Sequence, residues 1–129
     1  MNDKETIVKA LVDTGKWSES AARRGFRAGF KCAYCDRDLL ASVNDYKSWQ
    51  EDHIVPLSAG GKNEEENIVI SCRTCNVNVK AKWNPLTVCG ENPSREELIE
   101  AVRKYVTTRR TQFLEDVTEL RKIIYTKLR

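Results

Sequence analysis

The chain has 129 residues and a mass of 14.8 kDa, room for one domain with an appended element. Its residues are 40% hydrophobic and 32% charged with a net charge of +3, so the surface is dense in both signs and compatible with a polyanionic partner without requiring one. The opening Met1-Asn-Asp-Lys-Glu-Thr lacks the apolar stretch of a secretory signal, and no segment approaches the roughly 20 apolar residues of a membrane span. A reducing cytoplasm is therefore the expected compartment, where paired thiols serve metals more often than disulfides.

Three segments are expected: an N-terminal helical segment (1–30), a metal-stapled core (31–90) and a C-terminal helical segment (91–129). Ile7, Val8 and Leu11 share one helical stripe over residues 4–13, and Gly15 interrupts it. A second helix is predicted to begin near Ser18, with Phe26 and Phe30 turned inward and Arg23, Arg24 and Arg27 outward. From Lys31 to about Ile70 turn residues accumulate, as in a loop-rich metal module, with short strands expected at Ile54-Val55 and at Ile68-Val69-Ile70. A helix should follow from Arg73 to about Lys82, ended by Asn84-Pro85. Glu64-Glu65-Glu66 reads as a solvated acidic loop.

Ser94 and Glu97 form a capping-box signature at the start of the last segment. Beyond it Leu98, Val102, Tyr105, Phe113, Val117, Leu120, Ile124 and Leu128 recur at mostly helical spacing. One continuous helix of that length would run about 50 Å, more than this module can cover. Either the helix breaks near Thr107-Thr108 and folds back, or its distal half packs on another chain, a homodimer or a partner protein.

Chemistry concentrates between two Cys-x-x-Cys pairs. Cys32, Cys35, Cys72 and Cys75 match a closed tetrahedral Zn²⁺ site that holds the fold, and Cys89 is left over, expected as a buried thiol outside it. His53, the one histidine of the chain, is then free to act as a general base, since its ordinary pKa of about 6.5 leaves it mostly neutral at pH 7. Asp52 would serve a different group from its neighbour on an extended strand, and its carboxylate suits Mg²⁺ or Mn²⁺. Glu51 is a nearby carboxylate able to assist. A zinc knuckle without activity and a disulfide-linked module are the alternatives that the cysteines alone leave open.

The run Cys32-Ala-Tyr-Cys35, Asp52-His53-Ile-Val-Pro56 with Gly60-Gly61, Glu66-Asn67-Ile-Val-Ile and Cys72-Arg-Thr-Cys75-Asn76 resembles the HNH endonuclease family, in the subgroup braced by a four-cysteine zinc. The resemblance covers roughly residues 30–82. It implies a small ββα-metal core inside a mainly α chain, and a DNA endonuclease leaving 5′-phosphate and 3′-hydroxyl ends. It further implies Asn76 as second ligand beside Asp52 for the catalytic ion, and Asn67 as the amide that pins the loop near His53. Members often carry a lysine three residues after the asparagine of the CN pair, where this chain has Val79, with Lys80 one residue later. Arg73, Lys80, Lys82 and the arginines of the second helix, Arg23, Arg24 and Arg27, are the candidate DNA-backbone contacts. Two other functions share these residues: a non-catalytic zinc module that binds nucleic acid or protein, and a nuclease subunit of a defence system switched on by a partner docked on the 94–128 stripe.

Overall fold

The structure, a computed structural model, describes residues 3–128. It is mostly helical, with one two-stranded antiparallel sheet and a long C-terminal helix arranged around the four cysteines.

Helix α1 spans Asp3–Asp13 and α2 spans Glu19–Arg27. The Ser18 side chain caps α2 by accepting the Ala21 N–H at 3.2 Å, which satisfies one of the free donors at the helix start. Of the expected α1 stripe, Val8 is buried and Ile7 is exposed. Gly25 sits within α2 because the helix presses on Trp49, whose ring would lie 2.7 Å from an added Cβ. Phe30 falls just beyond the helix in a left-handed conformation and stacks on Trp17, ring centroids 5.9 Å apart. The arginines of α2 are not a free basic face. Arg23 bridges Glu5 and Glu19, Arg24 binds Glu51 and Glu65, and Arg27 binds Glu66. The acidic loop at 64–66 is exposed, as expected, but Glu65 and Glu66 also tie it to α2.

After a short helix α3 (Val43–Lys47), strand β1 (Trp49–His53) pairs antiparallel with β2 (Ile68–Cys72), Asp52 opposite Val69 and His53 opposite Ile68. The first strand therefore lies earlier than Ile54-Val55. Those two residues are buried, but their backbone bonds go to Asn67: Ile54 N–H to its carbonyl at 2.8 Å and Val55 N–H to its side-chain oxygen at 2.9 Å. A side chain takes the place of a strand partner there.

The helix expected after Arg73 forms over Thr74–Lys80, but as a π-helix, its Ala81 N–H reaching five residues back to the Asn76 carbonyl at 3.0 Å. Ala81, with φ of 49°, ends it. Helix α4 then runs unbroken from Arg95 to Lys127, opened by the reciprocal Ser94/Glu97 capping box. Thr107 and Thr108 do not break it, and the Thr108 hydroxyl bonds the Lys104 carbonyl at 3.1 Å within the helix.

The buried cluster joins Tyr34, Leu39, Ile54, Val69, Ile70 and Val79 with the cysteines and with Val102 and Val106 of α4. It draws on the central segment and on the first half of the C-terminal segment alike. Trp83 stacks flat on Tyr105 at 4.3 Å, which fixes the approach of α4 to the chain leaving the π-helix.

Candidate active site and metal centre

The four cysteine sulfurs lie within 4.8 Å of one another, Cys35 and Cys72 at 3.9 Å. A tetrahedral Zn²⁺ with Zn–S of about 2.3 Å sets sulfurs just under 4 Å apart, so the set fits that ion with small side-chain adjustments. Cys32 and Cys35 come from a tight turn in which Asp36 N–H bonds the Cys32 carbonyl (3.0 Å), while Cys72 ends β2 and Cys75 opens the π-helix. Backbone amides of Tyr34 and Cys75 each donate to a sulfur at 3.4 Å. Cys89 stands apart from the cluster, as expected, but is half-buried where a buried thiol was expected.

A residue that the sequence did not point to completes this centre. Arg110 of α4 donates to Cys75 Sγ at 3.2 and 3.4 Å and to Cys72 Sγ at 3.6 Å. Burial, the largest influence, opposes the arginine's charge, but the bond to Cys75 and the charges of Cys75, Cys35 and Cys72 together outweigh it and hold the Arg110 pKa above its ordinary value. A four-thiolate zinc carries a net double negative charge, and a guanidinium against two of the sulfurs offsets part of it.

His53 ends β1, half-buried, with Nε2 2.9 Å from Asn63 Oδ1. An amide oxygen only accepts, so Nε2 bears the proton and Nδ1 carries the lone pair of the neutral ring. The loop that supplies Asn63 is held from two sides. Asn67 spans it, its Nδ2 donating to the carbonyls of Val55 (2.9 Å) and Lys62 (2.8 Å) while its Oδ1 accepts from Val55 N–H. Gly61 crosses so near the Val55 carbonyl that an added Cβ would lie 1.9 Å from its oxygen, which excludes every other residue. Asn63 carried no sequence signal of its own beyond following the Gly-Gly turn.

Asp52 faces the other side of the sheet, 7% exposed. Its Oδ2 accepts the Tyr34 hydroxyl at 2.5 Å and lies 3.1 Å from Lys80 Nζ, which also donates to the His53 carbonyl at 3.1 Å. Burial, reinforced by the adjoining Asp52 charge, pushes the Tyr34 phenol well above its usual pKa. Asn76 meets the same face and donates to Gln50 Oε1 at 2.7 Å. An ion shared by Asp52 and Asn76 does not fit this arrangement, because the Lys80 ammonium lies against both carboxylate oxygens, 3.1 Å from Oδ2 and 3.5 Å from Oδ1, and the phenol shares Oδ2. Lys80, 1% exposed, is likewise enclosed and cannot touch a DNA backbone, whereas Arg73 and Lys82 are exposed. Glu51, on the His53 side of the strand, is bound to Arg24 at 2.6 Å.

Beside β2 a cavity of about 240 Å³ is lined by Arg24, Arg27, Arg95 and Arg103 with Asp36 and Glu65. Arg103 pairs with Asp36, but Arg95 donates to the Ile68 carbonyl at 3.1 Å and its Nε is buried without a partner. Burial, and next the charge of Arg27, lowers the Arg95 pKa.

Residues 32–82 match the family model described as HNH endonuclease. They carry both cysteine pairs, His53, Asn67 and the π-helix, so the matched segment contains the whole four-cysteine cluster. No curated protein and no solved structure matches the chain. Among the described residues no helix is long and apolar enough to cross a membrane.

Proposed function

We propose that the chain is an endonuclease that hydrolyses phosphodiester bonds of DNA, with His53 as general base. The observation that carries this reading is the His53 ring, fixed through Nε2 on a loop clamped by Asn67 inside an HNH segment, with Nδ1 left for chemistry. In the reaction Nδ1 takes a proton from water, the oxygen attacks phosphorus, the bond to the 3′ oxygen breaks, the leaving oxygen takes a proton from solvent, and His53 returns its own to solvent. The ends would be 5′-phosphate and 3′-hydroxyl. Zinc on Cys32, Cys35, Cys72 and Cys75 would hold the module and take no part in the chemistry. Mg²⁺ or Mn²⁺ is the catalytic ion that the resemblance implies; no step is assigned to it, given the Asp52–Lys80 pair. Arg73 and Lys82, with Arg23, Arg24 and Arg27, are the groups for the nucleic-acid backbone, those of α2 after exchanging a carboxylate for a phosphate.

One observation favours a second reading, a zinc module that binds nucleic acid without cutting it: the same internal lysine closes the carboxylate where an ion is expected. Incubating the zinc-loaded protein with single-stranded, duplex and branched DNA and with RNA, in Mg²⁺, Mn²⁺ or EDTA, separates the two. Cleavage of DNA supports the nuclease reading. Binding without cleavage of any substrate in any metal supports the second.

A further inference from the structure

With an ion bound, Cys32, Cys35, Cys72 and Cys75 are all thiolates, so protonation does not choose among them. Exposure and hydrogen bonding do, because a thiolate reacts only where it can be reached and where its lone pairs are free. The four sulfurs differ in both. Cys32 and Cys75 are 0% and Cys72 is 2% exposed, whereas Cys35 is partly exposed. Arg110 bonds the sulfurs of Cys72 and Cys75, and the Tyr34 amide bonds that of Cys32. Cys35 has the Arg37 backbone amide beside it, and among the described residues no arginine side chain bonds its sulfur.

Space favours the same residue. A cavity of about 290 Å³ is lined by Cys35 with Tyr34, Thr107, Arg110 and Thr111, well above the room that one water needs. Cys32 borders the arginine-lined cavity beside β2, but its side chain has no exposure there.

We propose that Cys35 is a modification site, the sulfur through which the metal centre reacts with small peroxides. Its thiolate attacks one peroxide oxygen, the O–O bond breaks, and hydroxide leaves in a cavity where Arg110 supplies a cation. The sulfur, oxidised by two electrons, is then a sulfenic acid. The Cys72 thiolate, 3.9 Å from it, attacks that sulfur, forms the S–S bond and releases the oxygen as a second hydroxide. One peroxide has thereby taken two electrons from two thiolates, and solvent protonates both hydroxides to water. Only two thiolates remain for the ion, and the centre releases it. The inference rests on the zinc reading of the four cysteines and not on the nuclease reading, since it uses no residue of the His53 site.

The test starts from zinc-loaded protein whose metal content has been measured. It is treated with hydrogen peroxide beside a dione that traps sulfenic acids, and the labelled cysteines are located by mass spectrometry over time. Among the four, the label is expected on Cys35 first. Without the dione, one zinc should reach a chromogenic chelator for each Cys35–Cys72 disulfide formed. Cys35→His keeps a zinc ligand without the reactive thiolate, and its zinc release by peroxide should slow on the order of tenfold. A protein that holds no zinc before treatment would sink the zinc reading and this inference with it. Zinc-loaded protein labelled first at Cys32, Cys72 or Cys75, protein that keeps its zinc under peroxide, or a Cys35→His variant that releases zinc as fast as wild type would overturn this inference alone.

Discussion

Lys80 Nζ and Asp52 Oδ2 lie 3.1 Å apart, with the lysine side chain fully enclosed and the aspartate nearly so. The π-helix is what brings them together. Each turn of a π-helix holds more residues than an α-turn, so a lysine four residues beyond Asn76 arrives near the place that the third would occupy in an α-helix. The displaced lysine is thereby explained: the helix is rewound around it, and its charge is spent inside the module.

Removing one member of a buried pair leaves a charge without a partner, a loss of about 3–5 kcal/mol. Lys80→Met is expected to fall in that range in denaturant unfolding of the zinc-loaded protein. Adding Asp52→Asn to it should recover most of the loss, since an amide oxygen still accepts from Tyr34. A Lys80→Met protein as stable as wild type would show that the pair does not form.

Arg110 ties α4 to the metal centre. Loss of groups that hydrogen-bond to metal ligands typically lowers metal affinity about 10- to 100-fold. Arg110→Leu should therefore give up zinc to a chelator that much more readily, and Arg110→Lys should fall between the two. An unchanged affinity in Arg110→Leu would reduce the contact to packing.

Asp45 is held below the usual carboxylate range, first by its bond to Arg37 and next by the Ser42 hydroxyl. Its folded pKa lies below its unfolded value of about 3.9, so the stabilisation is present above that value and is lost as pH falls through the folded one. Asp36 against Arg103 and Glu66 against Arg27 have the same sign. Asp45→Asn should be less stable than wild type at about pH 7, with the gap closing as pH falls below about 4. Zinc release on acidification affects both proteins and cancels in the difference. A gap independent of pH would place the effect outside the carboxylate.

Asn67→Ala removes the three side-chain bonds with which Asn67 spans the His53 loop, and Gly61→Ala forces a side chain into the Val55 carbonyl. Each should cut DNA poorly while keeping its zinc, because neither touches the cysteine turns. Full activity in Asn67→Ala would mean that the loop is held by Gly61 and Asn63 alone.

What the sequence disclosed, and what it hid, divides along physical lines. The cysteine pairs, the helix start near Ser18, the Ser94 cap and the helical character of α1 and α4 were legible because spacing and capping are local, whereas the unbroken run of α4 through Thr107-Thr108 was not. Strand β1 was misplaced because Trp49-Gln-Glu-Asp-His is polar, while the apolar Ile54-Val55 owes its backbone bonds to the distant Asn67. The arginines of α2 looked like a nucleic-acid face, but their partners Glu51, Glu65 and Glu66 lie 27 to 41 residues away, beyond any local pattern. Lys80 and Arg110 were hidden for the same reason. One depends on the π-winding and the other on where α4 crosses the cysteines.

The central claim is that His53 is the base. It is tested by single-turnover cleavage of DNA by His53→Ala beside wild type, with zinc measured on both. Loss of a general base costs roughly 10²- to 10⁴-fold in rate, and the account predicts a fall in that range with zinc still bound to the four cysteines. A variant that cuts at the wild-type rate, or one that loses its zinc, would contradict it.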